Sequence, residues 1–240
     1  MLLHGFTQTS RLWGPFGDAL SQSRTLIGID LPGHAGSDAV RADLVETAAS
    51  VAEAVKDHVG ADPCELLGYS LGARVALHVL VGTDLALSKA VVIGATGGIE
   101  DPSQRAERRQ ADEATADALE ASGDVDAFID TWVASPMFSR LADAADATER
   151  RRNSASGLAS SLRLAGTGTQ EPLWERIRDI DVPLLTLAGS DDNRFGAHAL
   201  RLAQTAAHGV ASLVPGGGHA VHLAQPDAVV RVVHHWLSTV

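Results

Sequence analysis

The sequence predicts an α/β protein: a mostly parallel sheet, helices on both faces, and a long helical insertion standing over one edge. Three observations carry this. Short apolar runs alternate with stretches whose apolar residues recur at helical spacing, the pattern of βαβ units. A Gly-x-Ser-x-Gly sequence, Gly68 to Gly72, sits where an apolar run passes into a helical one. From about residue 97 to 172 no convincing strand occurs, only helical and polar sequence.

The elements follow in order. The chain opens inside an apolar run, residues 1–3, which ends at His4-Gly5-Phe6. A second run, 25–29, ends at Asp30-Leu31-Pro32-Gly33, an acid followed by turn residues. Residues 45–59 carry apolar side chains at helical spacing. Residues 64–67 form the strand leading into the Gly-x-Ser-x-Gly turn, and 74–81 the helix leaving it. Residues 90–93, Ala-Val-Val-Ile, close the first half. After the insertion come strand 183–188, helix 197–206, strand 211–214 and helix 228–237. The core is therefore expected over 1–96 and 173–240, with 97–172 as a helical lid. A long insertion after a strand of an open α/β sheet stands over the carboxyl edge, where ligands bind.

Composition narrows the function. Of the 240 residues 45% are hydrophobic and 20% charged, as one globular domain with a sizeable core requires. No window approaches about 18 uninterrupted apolar residues, so no membrane span is expected. The opening carries no basic, then apolar, leader pattern, and a cytoplasmic protein is the expectation. Cys64 is the only cysteine, which excludes a disulfide framework and a cysteine metal cluster. A net charge of −11 argues against nucleic acid or an anionic membrane as partner. Arginines nevertheless cluster at 105, 108 and 109 and at 150, 151 and 152. Taken alone, such clusters read as solvated faces paired with Glu107, Asp112 and Glu149.

The chemistry starts at Ser70. A serine on a sharp turn between strand and helix projects its hydroxyl, and glycines at 68 and 72 let the two elements approach. An acid and then a histidine are expected after later strands. The run 183–188 ends in Gly189-Ser190-Asp191-Asp192, so the acid is Asp191 or Asp192. The run 211–214 leads into Gly216-Gly217-Gly218-His219, making His219 the proton acceptor, with His222 as the alternative. The Phe6 and Leu71 amides are the expected donors to a developing oxyanion. His4 itself reads as a turn histidine.

Leu-His-Gly-Phe (3–6), Asp-Leu-Pro-Gly-His-Ala-Gly-Ser (30–37), Gly-Tyr-Ser-Leu-Gly (68–72) and Gly-Gly-His (217–219) resemble the α/β-hydrolase superfamily over nearly the whole chain. That resemblance implies a Ser70–Asp192–His219 triad, since the family's acid is commonly the third residue past the glycine ending its strand. A narrower resemblance rests on residues 68–76, Gln-Arg-Ala-Glu-Arg (104–108), Trp-x-x-x-Pro-x-Phe (132–138) and Arg-Asn-Ser-Ala-Ser-Gly (152–157). These are similar to the MenH synthases of menaquinone biosynthesis, which eliminate pyruvate from a tricarboxylate precursor. The resemblance implies that Arg74, Arg108 and Arg152 bind substrate carboxylates and that Tyr69, Trp132 and Arg194 line the same pocket. Arg105, Arg109, Arg150 and Arg151 keep the solvent-facing reading. Ala73 departs from the glycine usual there.

The resemblance implies a carbon–oxygen lyase acting on a small polycarboxylate, with no cofactor and no metal. An esterase or enol-lactonase working through an acyl-enzyme at Ser70 is the alternative, and a non-catalytic ligand receptor is a third reading. In this superfamily two further strands precede the one at 1–3. Their absence leaves 25–29 as the sheet's edge, so either an upstream start codon or a second subunit, making a homodimer, is expected to cover it.

Overall fold

The computed structural model describes residues 1–138, 141 and 147–239. Among them six strands form one sheet: β1 (Leu2–Leu3), β2 (Gly28–Ile29), β3 (Cys64–Tyr69), β4 (Leu87–Ile93), β5 (Leu184–Gly189) and β6 (Gly209–Val214). Their order is β2-β1-β3-β4-β5-β6, and all five pairings are parallel. The helices are α1 (Gly14–Ser21), α2 (Leu44–Val59), α3 (Leu71–Gly82), α4 (Pro102–Ser122), α5 (Val125–Val133), α6 (Ala147–Arg150), α7 (Ala155–Ala165), α8 (Trp174–Ile177), α9 (Asn193–Thr205), α10 (Val221–Ala224) and α11 (Pro226–Thr239).

The alternation of side chains along each strand divides the core in two. Leu66, Ala90, Val92 and Leu184 face the cluster shared with α2, α3 and α9. Leu67, Val91, Ile93, Leu185 and Leu187 face the cluster shared with α1 and α11. A period of two therefore turns each apolar run into two buried faces, which explains why these strands read as continuous apolar sequence. Every residue of β5 is buried.

Strand boundaries shift from those expected. β4 begins at Leu87 and β6 at Gly209, because pairing with β3 and β5 recruits residues that are partly buried or exposed. The expected strand 25–29 is paired only over Gly28–Ile29. It does lie at one edge of the sheet, with β1 as its neighbour. Helix α1 lies outside the helices that the sequence predicts: its amino end has Pro15 but no side-chain cap, so its signal is its apolar face, Phe16 and Leu20.

Between β4 and β5 the described residues contain no strand, as expected. Helix α4 starts on Asp101, whose carboxylate accepts from the Ser103 and Gln104 amides, and ends on Gly123 in the left-handed conformation. It packs along α7, and Arg163 of α7 reaches Glu113, Asp117 and Glu120 of α4. Residues 139, 140 and 142–146 of the expected insertion, and residue 240 of the expected core, lie outside the described residues.

Candidate active site

Ser70 stands between β3 and α3 with φ 52° and ψ −106°, a conformation side-chain-bearing residues rarely adopt. The turn is this tight because glycines flank it. A Cβ on Gly68 would lie 2.3 Å from the Gly72 carbonyl oxygen, and one on Gly72 would lie 2.0 Å from that of Leu3. The Gly72 amide donates to His4 O at 2.9 Å, tying α3 to the end of β1.

Ser70, His219 and Asp192 form one hydrogen-bonded chain. His219 Nε2 is 3.0 Å from Ser70 Oγ, and Nδ1 is 3.1 Å from Asp192 Oδ2. An ionised carboxylate only accepts, so Nδ1 carries the proton and Nε2 is left to accept from the Ser70 hydroxyl. Asp192 also caps α9, taking the Phe195 amide on Oδ1 at 3.1 Å. Burial pushes its carboxyl up, but the His219 and Phe195 hydrogen bonds outweigh this and hold it below its ordinary value. The His219 ring is packed by Phe195 at 4.3 Å and Tyr69 at 5.5 Å between centroids. Asp191 instead donates its amide to Gly217 O and lies exposed. His222 is buried against Trp13, Phe16 and Tyr69, its pKa driven down by burial to about 3, and neither nitrogen has a partner among the described residues. His4 accepts the Leu31 amide on Nε2 and uses Nδ1 on Gly5 O, a structural turn.

A cavity of about 80 Å³ opens over Ser70, with Phe6, Leu71 and His219 around the hydroxyl. Among the described residues neither the Phe6 nor the Leu71 amide donates a hydrogen bond, and Leu71, first in its helix, has no intrahelical partner for it. Both amides remain free for an oxyanion. Trp132, Met137 and Leu162, from the chain between β4 and β5, supply apolar wall. Arg74 and Arg108 line the same cavity, and Arg194 lines it and a neighbouring hollow of about 180 Å³. Arg74 is buried and donates to Ala165 O at 2.8 Å. Burial, then the Arg108 charge, lowers its pKa to about 10 against the opposing pull of Asp112, so it stays cationic at neutral pH. A larger hollow, about 750 Å³, lies at the amino ends of β1, β3 and β4. Its lining contains none of these groups, so size alone does not mark the site.

Two expected pocket residues are placed elsewhere. Tyr69 is 2% exposed and lies behind His219, against Gly5, because its side chain falls on the α1/α11 face of β3. Arg152 pairs with Glu149 at 3.5 Å with its side chain half-exposed, and it is not part of the cavity wall. Arg150, expected to face solvent, is 1% exposed and donates to Thr7 Oγ1 at 2.7 Å. Asn153 beside it donates to Thr7 O. The Arg150–Thr7 contact spans 143 residues, and no local pattern announces it. Asp112 falls in a stretch whose sequence predicts a solvated face. It is buried, with Oδ1 accepting from Arg108 Nε at 2.8 Å. The i,i+4 spacing was visible, but its burial was not.

The profile of the Alpha/beta hydrolase family matches residues 1–232. A Bacillus subtilis (strain 168) protein named as a candidate 2-succinyl-6-hydroxy-2,4-cyclohexadiene-1-carboxylate synthase is 33% identical, over 99% of this chain and 89% of its own. The synthase of that name from Serratia proteamaculans (strain 568) is 29% identical, covering 98% of this chain and 91% of its own. The structure of MenH from S. aureus superposes with a TM-score of 0.92 at 27% identity, over 98% of this chain and 91% of that one.

Proposed function

The chain belongs to the alpha/beta hydrolase family, and we propose that it is a carbon–oxygen lyase of menaquinone biosynthesis. It eliminates pyruvate from 2-succinyl-5-enolpyruvyl-6-hydroxy-3-cyclohexene-1-carboxylate to give 2-succinyl-6-hydroxy-2,4-cyclohexadiene-1-carboxylate. The observation that carries this reading is the placement of two guanidinium groups, Arg74 and Arg108, on the same small cavity as the Ser70–His219–Asp192 chain. A neutral ester gives no reason for two cations there. A polycarboxylate does, since each guanidinium can grip a carboxylate at two points and keep its charge when desolvated.

In this reading His219 takes the Ser70 proton, and the activated oxygen removes a proton next to the succinyl ketone. Negative charge moves onto the ketone oxygen, where the Phe6 and Leu71 amides stabilise it. The electron pair then returns through the ring and expels the enolpyruvyl oxygen as the enolate of pyruvate, which takes the proton held on His219 and leaves as pyruvate. Asp192 holds the His219 tautomer and balances the imidazolium formed in the first step. The described residues within 97–172 act as a lid that supplies Trp132, Arg108 and Leu162 and keeps water from the enolate. Arg194, which also lines the cavity, is the remaining arginine for the substrate. No described helix is long and apolar enough to cross a membrane, and a cytoplasmic setting belongs to the same proposal.

The alternative is hydrolysis of a small carboxylic ester through an acyl-enzyme at Ser70, favoured by a serine already 3.0 Å from its base. One experiment separates the two. Pyruvate release from the enolpyruvyl precursor, followed with lactate dehydrogenase and NADH, is run beside a panel of p-nitrophenyl esters. Rapid pyruvate release with weak ester cleavage supports the lyase, and the converse sinks it.

A further inference from the structure

Helix α4 is mostly exposed, yet Asp112 on it is only 6% accessible. A carboxylate removed from water is costly unless hydrogen-bonded and paired. Its pairing is specific: Oδ1 accepts from Arg108 Nε at 2.8 Å, and Oδ2 faces the Gly168 amide at 3.5 Å. The turn at residues 166–169 covers it closely. A Cβ on Gly166 would lie 2.6 Å from Asp112 Oδ2, and one on Gly168 would lie 2.2 Å from the Arg109 amide nitrogen. Two glycines thus let backbone close over a buried acid.

The tether leaves Arg108 in a particular state. Only its Nε is engaged, and among the described residues neither Nη group has a protein partner, although Arg108 lines the cavity. Its side chain is 35% accessible, so without the tether nothing described keeps the guanidinium from swinging to solvent. Arg74 lines the same cavity, and two guanidinium groups there repel each other unless a carboxylate stands close by.

We propose that Asp112 is the positioning residue of the anion-binding end of this cavity: it holds Arg108 by Nε so that the Nη pair faces a substrate carboxylate. This rests on the reading of the cavity as a polycarboxylate site. Asp112 touches no substrate and acts through Arg108.

The test compares Asp112→Asn, Arg108→Ala and the double variant by KM and kcat for pyruvate release. Binding of tricarballylate, a tricarboxylate probe, is measured alongside by calorimetry. Asparagine keeps the volume and one acceptor but loses the charge. Asp112→Asn is expected to raise KM and weaken the probe about tenfold, with kcat within about threefold, on the scale of one charge-assisted bond. The double variant is expected to be no worse than Arg108→Ala, because both changes remove one interaction. Losses that multiply in the double variant, or an unchanged KM in Asp112→Asn, overturn the proposal. Should Asp112→Asn not fold, Arg108→Lys carries the test. Lysine keeps the charge but cannot hold Asp112 and a carboxylate in one planar fork, so it should bind the probe like Arg108→Ala. Probe binding at the wild-type level by Arg108→Lys overturns the proposal. Wild-type protein that releases no pyruvate defeats the lyase reading, while calorimetry still decides this one. Failure of the wild type to bind the probe overturns this proposal, while pyruvate release still decides the lyase reading.

Discussion

The His219 ring lies directly on Gly94, whose φ is +62°, and a Cβ at that position would come within 2.9 Å of His219 Cε1. The bend after β4 therefore sets how far the imidazole can approach Ser70. Gly94→Ala adds backbone strain of about 1–2 kcal/mol for a left-handed alanine and pushes against the ring. The expected outcome is a fall in kcat of at least about tenfold with a loss of only a few degrees in Tm. Wild-type turnover in a folded Gly94→Ala protein would show that the ring has room to spare.

Ser70→Ala and His219→Ala are each expected to lower kcat by more than ~10³, because they belong to one proton-transfer unit. Asp192→Asn is expected to do the same by releasing the His219 tautomer. Asp191→Asn should stay near wild type, its side chain being exposed and outside the chain of hydrogen bonds. Single-turnover kinetics on the four variants check the set, and full activity in Asp192→Asn would remove Asp192 from it.

Among the arginines, Arg74→Ala and Arg108→Ala should each weaken transition-state binding of the tricarboxylate by ~1.5–3 kcal/mol, the scale of a charge-assisted hydrogen bond. Arg152→Ala should cost less, because that side chain pairs with Glu149 and does not line the cavity. Measured kcat/KM values decide it. An Arg152→Ala loss equal to that of Arg108→Ala would mean that substrate draws Arg152 inward.

Acid stability follows from three buried histidines. Burial holds His4 and His222 neutral down to about pH 3 and His34 down to about pH 4. The unfolded chain protonates them near 6.5, so below that pH it binds more protons than the folded one, and stability falls as pH falls. Each histidine should cost about 2 kcal/mol between pH 7 and pH 5. Asp30 and Asp192, held below their ordinary values, lose their contribution only in the more acidic carboxylate range. His222→Phe keeps a ring among Trp13, Phe16 and Tyr69 and removes two unpartnered nitrogens. Urea unfolding at pH 7 and pH 5 should show a smaller acid loss for this variant by about that amount, and an unchanged loss would place the titration elsewhere.

By itself the sequence determined the parallel α/β architecture and the strand ends that bear Ser70, the acids 191 and 192, and His219. These are local matters: apolar runs of strand length, a glycine-flanked serine and an acid just past a strand all act within a few residues. The choice of Asp192 over Asp191 was visible only as family spacing until the Nδ1 contact decided it. What tertiary structure alone decided is which charges are desolvated. Arg150, Arg151 and Arg152 are neighbours in sequence, yet the first is buried against Thr7, the second pairs with Asp126 and Asp130, and the third lies half-exposed beside Glu149. Asp112 and Arg108 likewise sit on a helix that looks polar all round, and the 166–169 turn folding over it buries Asp112 while Arg108 stays partly open. A charge's role depends on the water removed around it, and that water is displaced by segments far away in the chain.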